Sequence, residues 1–416
     1  MTKSFPCYYG WINVWMAAVA MTATLPGRTH GLGLISKPLL ENFKISESNF
    51  AVVNLWSTLL GATFAIPMGL LIDRFGVRWM SVIVLAGLSL SVFWMSQVSS
   101  ALELFFCLTL VRGFGQSALS TVSIAMVSKW FRGRLAMAMG LFAVLLTFGF
   151  VGTVLGVGWA VGEFGWRSAW QMIAWSLLGS IPFFWHLVRR SPEACNVLPD
   201  FEVTANPSEP IDSVDGTWRD YTLAESLRSS AFWVVALATS TFNLVWSSIT
   251  LFNEAILKEL GFGQSSAVEM MAYLTGMGLI SNLIAGKLVT RKHIGHLLGS
   301  GMFAMGLALV LFPQIDSMLQ LRIYGAAMGL VGGIITVVHF AAWGQLFGRQ
   351  AIGSIQGVAQ VTTVIASAIG PVCVATYADL KSTHLPTFYG MAALALTMAV
   401  ASFLLPVPDR LRADSK

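Results

Sequence analysis

The chain has 416 residues, of which 56% are hydrophobic and 11% are charged, and its mean hydropathy is +0.71. Soluble globular proteins carry about 25% charged residues, so this composition excludes that class and indicates a protein of the lipid bilayer. The net charge of +5 reflects where Lys and Arg lie along the chain and gives no evidence for nucleic-acid binding. The four cysteines lack metal-ligand spacing, and neither a metal nor a cofactor is predicted.

Twelve stretches are predicted to cross the membrane as helices, since a helix needs about 20 apolar residues to span the hydrocarbon core. In chain order these spans are residues 9–34, 50–72, 79–97, 102–129, 135–161, 166–188, 230–256, 267–290, 294–313, 317–345, 354–378 and 386–406. A polar, proline-containing stretch at 189–229 is predicted to be a cytoplasmic linker. It separates an N-terminal bundle (1–188) from a C-terminal bundle (230–416). The predicted fold is an all-α membrane protein with two pseudo-symmetric six-helix bundles.

The two halves carry an internal repeat. Residues at an offset of 216 or 217 are related in the pairs Gly69 and Gly286, Gly113 and Gly329, Phe131 and Phe347, and Gly140 and Gly357. A duplicated membrane array of this kind is typical of a secondary transporter.

The distribution of basic residues predicts the orientation of the chain. Most of the 25 Lys and Arg fall in alternate loops and in the termini, and such loops face the cytoplasm by the positive-inside rule. Both termini are therefore predicted to be cytoplasmic. The chain has no Asn-x-Ser/Thr glycosylation acceptor, which favours a bacterial inner membrane.

The turn between spans two and three, residues 69–78, is short and highly charged. It contains Gly69, Asp73, Arg74, Gly76 and Arg78. We expect these residues to form a gate that does not touch substrate. Charged pairs and a contact with a helix dipole would hold the inner face closed in one state and release it in the other.

This turn resembles the signature turn of the major facilitator superfamily, and Arg112-Gly113-Phe114-Gly115 in span four resembles a second element of that family. Shorter motifs resemble the monocarboxylate and oxalate–formate transporter branch: Tyr9-Gly10-Trp11, Pro26-Gly27-x-Thr29-x-Gly31, Lys129-Trp130-Phe131 with Arg134, Gly165-Trp166-Arg167, Ser191-Pro192-Glu193, Leu198-Pro199-Asp200, and Phe347-Gly348-Arg349 with Gly353. The resemblance implies a twelve-helix, two-bundle fold with a central site that opens alternately to either side. Members of this branch carry a basic residue within span eight, and here residues 267–287 contain no arginine at mid-depth.

Two arginines lie at membrane depth, where an ionisable group costs at least about 2.5–3.5 kcal/mol. Arg112 is about 15 Å into span four, and Arg28 is about 9 Å from the outer end of span one. No Asp or Glu falls at comparable depth, so an anionic substrate would supply the missing charge. The resemblance supports Arg28, because monocarboxylate transporters use a basic residue just beyond a span-one proline. In the alternative, Arg112 binds backbone carbonyls as a structural latch and Arg28 extends to the outer surface.

Other polar side chains complete the predicted site. His30 is a candidate proton carrier, because imidazole titrates near neutral pH, and His339 in span ten is a second intramembrane histidine. The predicted neutral donors to the cavity are Gln116, Asn243, Tyr273 and Asn282, with Gln356 and Gln360 as further candidates. Each of these side chains could instead form hydrogen bonds between helices.

The sequence therefore predicts a secondary transporter of small organic anions, resembling monocarboxylate transporters, that works by alternating access. Symport, exchange and uniport all remain open, and protons are candidate co-substrates. The alternative is an exporter of drugs or of neutral small solutes on the same fold. The chain has no nucleophile–base set, metal spacing or phosphate loop, so an enzyme is not predicted. The expected partners are the substrate and the lipid bilayer, and the expected state is a monomer.

Overall fold

The computed structural model of the protein describes residues 8–45, 47–197, 200, 218–409 and 411–412. Within these residues, ten helices are long and apolar enough to cross a membrane. One of them, Leu135–Leu187, has 53 residues and is interrupted at Gly165, so it forms two spans. The shorter apolar helix Gly10–Thr22 begins the first span. The described residues therefore form twelve spans, as predicted.

The first six spans form the N-terminal bundle. Span 1 consists of Gly10–Thr22, a 3-10 turn at Leu25–Gly27 and Thr29–Gly33, and the helix Ser36–Phe43 follows it. Span 2 consists of Glu47–Ala62 and Ala65–Phe75, and span 3 is Val77–Gln97. Span 4 consists of Ala101–Val111, a π-helical segment at Arg112–Leu119, and Ser120–Ser128. Spans 5 and 6 are the two parts of Leu135–Leu187 before and after Gly165.

The last six spans form the C-terminal bundle. In order they are Ser230–Glu259, Gln264–Leu288, Ile294–Leu311, Met318–Phe347, Ile352–Lys381 and Pro386–Phe403. A six-residue helix, Leu223–Arg228, precedes span 7. The two-residue strands Trp218–Arg219 (β1) and Leu411–Arg412 (β2) pair antiparallel and join the linker to the C-terminal tail.

Two of the helix–helix turns consist of a single glycine with almost the same backbone angles. Gly76 has φ 89° and ψ 160°, and Gly165 has φ 78° and ψ 159°. Both positive φ values lie in the region that favours glycine, since a Cβ would clash there. Each glycine stands in a Phe-Gly-x-Arg sequence, at residues 75–78 and 164–167.

The arginines of these two sequences connect spans 3 and 6 reciprocally. Arg78, at the start of span 3, donates from Nε to the carbonyl oxygen of Trp185 at 2.8 Å, near the end of span 6. Arg167, at the start of span 6, donates to the carbonyl oxygens of Ser96 at 2.8 Å and Val98 at 3.0 Å, at the end of span 3. A cation at the carboxyl end of a helix is favourable, because it binds the terminal carbonyls and complements the helix dipole.

Glycines form two close backbone contacts between the two bundles. A Cβ on Gly69 in span 2 would lie 2.3 Å from the carbonyl oxygen of Gly353, at the start of span 11. A Cβ on Gly140 in span 5 would lie 3.0 Å from the Cα of Gly286 in span 8. Contacts this close require residues without side chains, since helix backbones in lipid associate by close packing rather than by a hydrophobic drive.

The glycine contacts between the bundles lie at one end of the molecule, which we call the terminal face. It is the end that carries the turns after spans 2, 4, 8 and 10, the described residues of the linker and the β1–β2 pair. Two aspartates of the linker bind repeat-related turns there. Asp200 accepts the backbone N–H groups of residues 132–134, and Asp220 accepts those of residues 349 and 350. The linker is thus bonded to both bundles.

Candidate functional site

A cavity of about 140 Å³ lies between the two bundles, halfway along spans 1, 4, 7, 10 and 11. Its polar lining comes from both bundles: Arg28, Gln116 and Ser120 on the N-terminal side, and Asn243, Thr336, His339, Gln360, Thr363 and Ser367 on the C-terminal side. The remaining lining is apolar and includes two aromatic side chains. None of the described lining residues is Asp or Glu.

A break in span 1 directs Arg28 into this cavity. The regular helix ends at Thr22, and Arg28 has extended backbone angles (φ −106°, ψ 158°) between the 3-10 turn and the next helical segment. The span predicted over 9–34 is present, but it is not one continuous helix, because the helix ends at Thr22, ahead of the 3-10 turn Leu25–Gly27. A broken span frees backbone groups only where they face protein or a cavity.

The Arg28 guanidinium is held by neutral groups. Nε donates to Thr24 Oγ1 at 2.7 Å, and Nη2 donates to Ser120 Oγ at 3.0 Å and to Met21 Sδ at 3.2 Å. The guanidinium carbon also lies 5.3 Å from the centroid of the Phe150 ring. Nη1 has no protein acceptor among the described residues. Because Thr24 and Met21 precede Arg28 in span 1, the side chain extends inward and not to the outer surface.

Arg112 occupies a different position, behind the wall of the cavity. It is 2% exposed and does not line the cavity. Nη1 donates to the carbonyl oxygen of Gly27 at 3.1 Å and to Gln116 Oε1 at 2.8 Å, and Nη2 donates to Asn54 Oδ1 at 2.6 Å. Arg112 thereby connects span 4 to the break in span 1 and to span 2. Arg112 therefore binds one backbone carbonyl and two side-chain amides, whereas Arg28 lines the cavity.

The local backbone makes this arrangement possible. Arg112 begins the π-helical segment of span 4, and π-bulges are frequent at functional sites. A Cβ on Gly27 would lie 2.5 Å from the carbonyl oxygen of Val111, and a Cβ on Gly61 would lie 2.7 Å from Cβ of Arg112. Both glycines therefore leave the space that the arginine and the widened turn occupy.

Three of the predicted neutral donors line the cavity: Gln116, Asn243 and Gln360. Gln116 accepts a hydrogen bond from Arg112 through its side chain, and its backbone oxygen accepts one from Gln360 Nε2 of the other bundle at 3.2 Å. Asn243 lines the cavity from span 7, and its Nδ2 donates to the carbonyl oxygen of Thr239 at 2.9 Å. Its side-chain oxygen and the second N–H of Nδ2 have no hydrogen bond to a described residue.

The other predicted site residues lie elsewhere. His30 is exposed in the segment that follows the break and does not line the central cavity. Tyr273 is 42% exposed on span 8. Asn282 is 6% exposed, and its backbone oxygen lies where a Cβ on Gly140 would meet it, at 2.8 Å. The structure thus gathers four of the predicted residues, Arg28, Gln116, Asn243 and Gln360, and leaves four outside the cavity, His30, Tyr273, Asn282 and Gln356.

Several lining residues were absent from the predicted site, and the repeat could have indicated one of them. The offset of 216 that relates Gly113 to Gly329 also relates Ser120 to Thr336, and both line the cavity. His339 follows Thr336 by three residues and therefore shares its helix face.

A second cavity, of about 160 Å³, leads away from the terminal face. It is lined by Thr29, Asn54, Thr58, Leu251, Phe252 and Pro371, among others. Gln116 and Ser367 line both cavities. The central cavity therefore adjoins a space that extends toward the opposite face.

The terminal face is closed by a cluster that we call the Asp73 lock: Asp73, Lys129, Gly353 and Ser354. Asp73 Oδ1 accepts Gly353 N at 3.0 Å and Lys129 Nζ at 3.2 Å. Asp73 Oδ2 accepts Ser354 N and Ser354 Oγ, both at 2.8 Å. A carboxylate of span 2 thus caps the amino end of span 11, where the helix dipole favours negative charge.

Arg349 forms a second connection across the terminal face. Its Nη1 donates to the carbonyl oxygen of Lys129 at 2.8 Å, and its Nη2 donates to Glu193 Oε1 at 2.8 Å. Lys129 therefore contacts the C-terminal half through its backbone and Asp73 through its side chain.

Among the described residues, no hydrogen bond joins the side chains of Arg74 and Arg78 to the C-terminal bundle. The Arg74 guanidinium lies 5.3 Å from the Phe75 ring centroid, and its carbonyl oxygen accepts a hydrogen bond from Arg190. Arg78 binds Trp185 of its own bundle, and Gly76 forms the turn. Of the predicted gate, only Gly69 and Asp73 face the C-terminal bundle.

Comparison with known proteins agrees with this architecture. The sequence profile of the Major Facilitator Superfamily matches residues 10–371. The chain belongs to the major facilitator superfamily. It is 23% identical to monocarboxylate transporter 13 of Rattus norvegicus over 412 residues, which cover 96% of this chain and 89% of that protein. It is 22% identical to monocarboxylate transporter 13 of Bos taurus, with the same coverage.

A solved structure of the superfamily has the same fold. The crystal structure of the human organic anion transporter MFSD10 (TETRAN) superposes with a TM-score of 0.68, covering 95% of this chain and 98% of that one at 14% identity. Proteins of the major facilitator superfamily are transporters and not enzymes. The chain is therefore a multi-pass membrane transporter.

Proposed function

We propose that the protein is a secondary transporter of small organic anions, with monocarboxylates as the substrate class. The observation that carries the proposal is Arg28: its guanidinium lies in the cavity between the bundles, Nη1 has no protein acceptor among the described residues, and no described lining residue is a carboxylate. The names of the relatives, a monocarboxylate transporter and an organic anion transporter, support the same class.

The charge balance of the cavity favours an anion. A guanidinium stays protonated at physiological pH and binds carboxylates through two parallel hydrogen bonds. Placing that charge in the membrane interior costs at least about 2.5–3.5 kcal/mol. A carboxylate at Nη1 would offset that cost, whereas a lipophilic cation would add a second positive charge to the same space.

The size of the cavity favours a small substrate. An apolar cavity of about 150 Å³ accepts benzene, which has six non-hydrogen atoms, and the central cavity is about 140 Å³. A three-carbon hydroxy acid has the same number of non-hydrogen atoms. Pockets for drug-sized ligands measure about 300–1,000 Å³. The alternative of a drug exporter is therefore the less favoured one, and a neutral small solute would leave Arg28 without a counter-charge.

The closed terminal face supports a mechanism of alternating access. The glycine contacts and the Asp73 lock seal that face, while the second cavity adjoins the site from the opposite side. We place the terminal face in the cytoplasm of a bacterial cell, because the turns that form it carry most of the basic residues. Both termini are then cytoplasmic, and the monomer is the transporting unit because the site lies within one chain.

A thermal-shift screen of the purified protein in detergent tests the substrate class. A ligand that binds the folded state raises its apparent stability by mass action. We expect small carboxylates to stabilise the wild type and an Arg322→Gln control, and not an Arg28→Gln variant. Arg322 is a suitable control because it is an exposed arginine paired with Glu269 outside the cavity.

Stabilisation by neutral sugars or lipophilic cations alone would contradict the proposal. Uptake into liposomes, measured with an imposed pH gradient and with internal counter-substrate, then separates proton symport, exchange and uniport. His30, which neighbours Arg28, is the proposed proton carrier, so His30→Gln should abolish any acceleration by the pH gradient while carboxylate binding remains.

A further inference from the structure

His339 stands out on the wall of the cavity that faces Arg28. It lies in span 10, is 8% exposed, and is the only titratable side chain of the C-terminal bundle among the described lining residues. The other C-terminal lining residues are amides, hydroxyls or hydrocarbons. The two bundles therefore each present one basic side chain to the same small space.

The imidazole of His339 has unused hydrogen-bonding capacity. Nδ1 is buried without a partner, and neither ring nitrogen has a hydrogen bond to a described residue. Its neighbours in the same helix are aromatic: the Phe340 and Trp343 rings lie at centroid distances of 5.6 and 6.3 Å. A neutral imidazole carries one donor and one acceptor, and buried polar groups are normally paired.

A purely structural role does not account for this arrangement. A packing histidine would be expected to bond a carbonyl or a hydroxyl of a neighbouring helix, as Ser281 does with the carbonyl oxygen of Leu330 at 2.6 Å. A histidine held in an ion pair would need a carboxylate, and the described cavity lining has none. The groups left to satisfy His339 are those of a molecule inside the cavity.

We propose that His339 is the substrate ligand of the C-terminal bundle. The inference rests on the proposed function: the carboxylate of the substrate binds Arg28, and His339 hydrogen-bonds a second polar group of the same molecule. A hydroxyl or carbonyl oxygen beside the carboxylate would supply that group. The substrate would then contact both bundles at once and favour the state in which they close around it.

Two acids that differ by one hydroxyl test this role. Their affinities for the purified protein are measured by calorimetry with 2-hydroxypropanoate and propanoate. A site built to bind a hydroxyl discriminates strongly against the analogue that lacks it. We expect the wild type to prefer the hydroxy acid by about tenfold or more, as expected for a lost hydrogen bond.

The preference should depend on the ring of His339. In His339→Leu we expect the two acids to bind with equal affinity, and in His339→Gln, which keeps a donor, we expect part of the preference to return. His296→Gln is the matched control, because His296 lies in the same bundle, on span 9 against Phe403 and outside the cavity. It should behave as the wild type does.

The outcomes distinguish a failure of the proposed role of His339 from a failure of the proposed function. If His339→Leu or His339→Gln keeps the full preference of the wild type, or if the wild type binds both acids equally, His339 is not a ligand, while carboxylate transport stands. If the wild type binds neither acid, that result contradicts both the proposed function and the proposed role of His339. The glutamine variant, which keeps the polarity and much of the volume of the imidazole, provides the test if the leucine variant does not fold.

Discussion

Gly140 and Gly286 pack backbone against backbone, and their repeat equivalents do the same. A Cβ on Gly140 would lie 3.0 Å from the Cα of Gly286, and a Cβ on Gly357 would lie 3.5 Å from the Cα of Gly69. The repeat relates Gly69 to Gly286 and Gly140 to Gly357. The two bundles therefore meet at the terminal face through symmetric crossings of glycine backbones.

Substitution of Gly69 should open the terminal face. In Gly69→Ala the new Cβ would overlap the carbonyl oxygen of Gly353, so the two spans must move apart. We expect a cysteine placed at the buried Ser128, in a chain without its native cysteines, to be alkylated several-fold faster in this variant. Gly152→Ala is the control, because nothing lies within 4 Å of a Cβ there. Equal alkylation rates in the Gly69→Ala and Gly152→Ala variants would show that the contact at Gly69 does not hold the terminal face closed.

Neutralising Asp73 should weaken the same closure by a different route. Asp73→Asn removes a charge that binds Lys129 and the first turn of span 11, and hydrogen bonds to charged groups contribute about 1.5–3 kcal/mol. We expect the population open at the terminal face to rise about tenfold or more, as read from the same Ser128→Cys alkylation.

Arg74→Gln is the control for the Asp73 lock, because Arg74 lies in the same turn and its guanidinium lies over the ring of Phe75 rather than in the lock. A variant of Arg74 that opens the terminal face as much as Asp73→Asn would show that the charge of the whole turn, rather than the Asp73 lock, holds it closed.

Substitutions of the two intramembrane arginines should affect different properties, ligand binding for Arg28 and stability for Arg112. Arg112→Gln leaves Gly27, Asn54 and Gln116 without their shared donor, so we expect the ligand-free protein to lose at least about 2 kcal/mol of stability and to melt at a lower temperature. Arg28→Gln should change the ligand-free melting temperature less and abolish the shift caused by carboxylates. Thermal unfolding of each purified variant, followed by intrinsic fluorescence with and without propanoate, measures the melting temperature and its shift.

The reverse pattern would restore Arg112 as the direct ligand. If the folded Arg112→Gln protein lost all response to carboxylates while Arg28→Gln kept it, Arg28 would be the structural residue of the pair.

The linker aspartates should stabilise their own turns independently. Asp200→Ala removes the acceptor of residues 132–134, and Asp220→Ala removes that of residues 349 and 350. Losing these bonds should cost about 1–3 kcal/mol locally, which corresponds to about a 5- to 150-fold increase in the rate of amide exchange. Hydrogen exchange with mass spectrometry should show faster exchange at the matching turn only. Faster exchange at both turns in either variant would indicate one cooperative unit.

The sequence predicted the spans well because their signal is local. Span 4 was expected over 102–129 and runs from Ala101 to Ser128. The repeat offset also paired Gly69 with Gly286 and Gly140 with Gly357, although it did not predict that they form the bundle crossings. Apolar length and small residues at a fixed offset are properties that a single chain carries without knowledge of its packing.

The roles of the charged residues depended on packing that the sequence does not encode locally. Both arginines lie at depth, and the break of span 1 and the π-segment of span 4 decide that Arg28 faces the cavity while Arg112 lies behind it. Asp73 binds Gly353 and Ser354, which lie 280 and 281 positions further along the chain. The sequence alone therefore does not indicate its partners. His339 belongs to a span that is buried on most sides, where helical periodicity does not distinguish the cavity face.

The Asp73 lock is present in only one copy of the repeat. The offset of 217 places Thr290 where the first copy has Asp73, and the Thr290 hydroxyl contacts His293 of its own turn. The duplication is thus symmetric in backbone and asymmetric in charge. An empty carrier built this way should rest with its site sealed from the terminal side, so that the first molecule it admits comes from the opposite compartment.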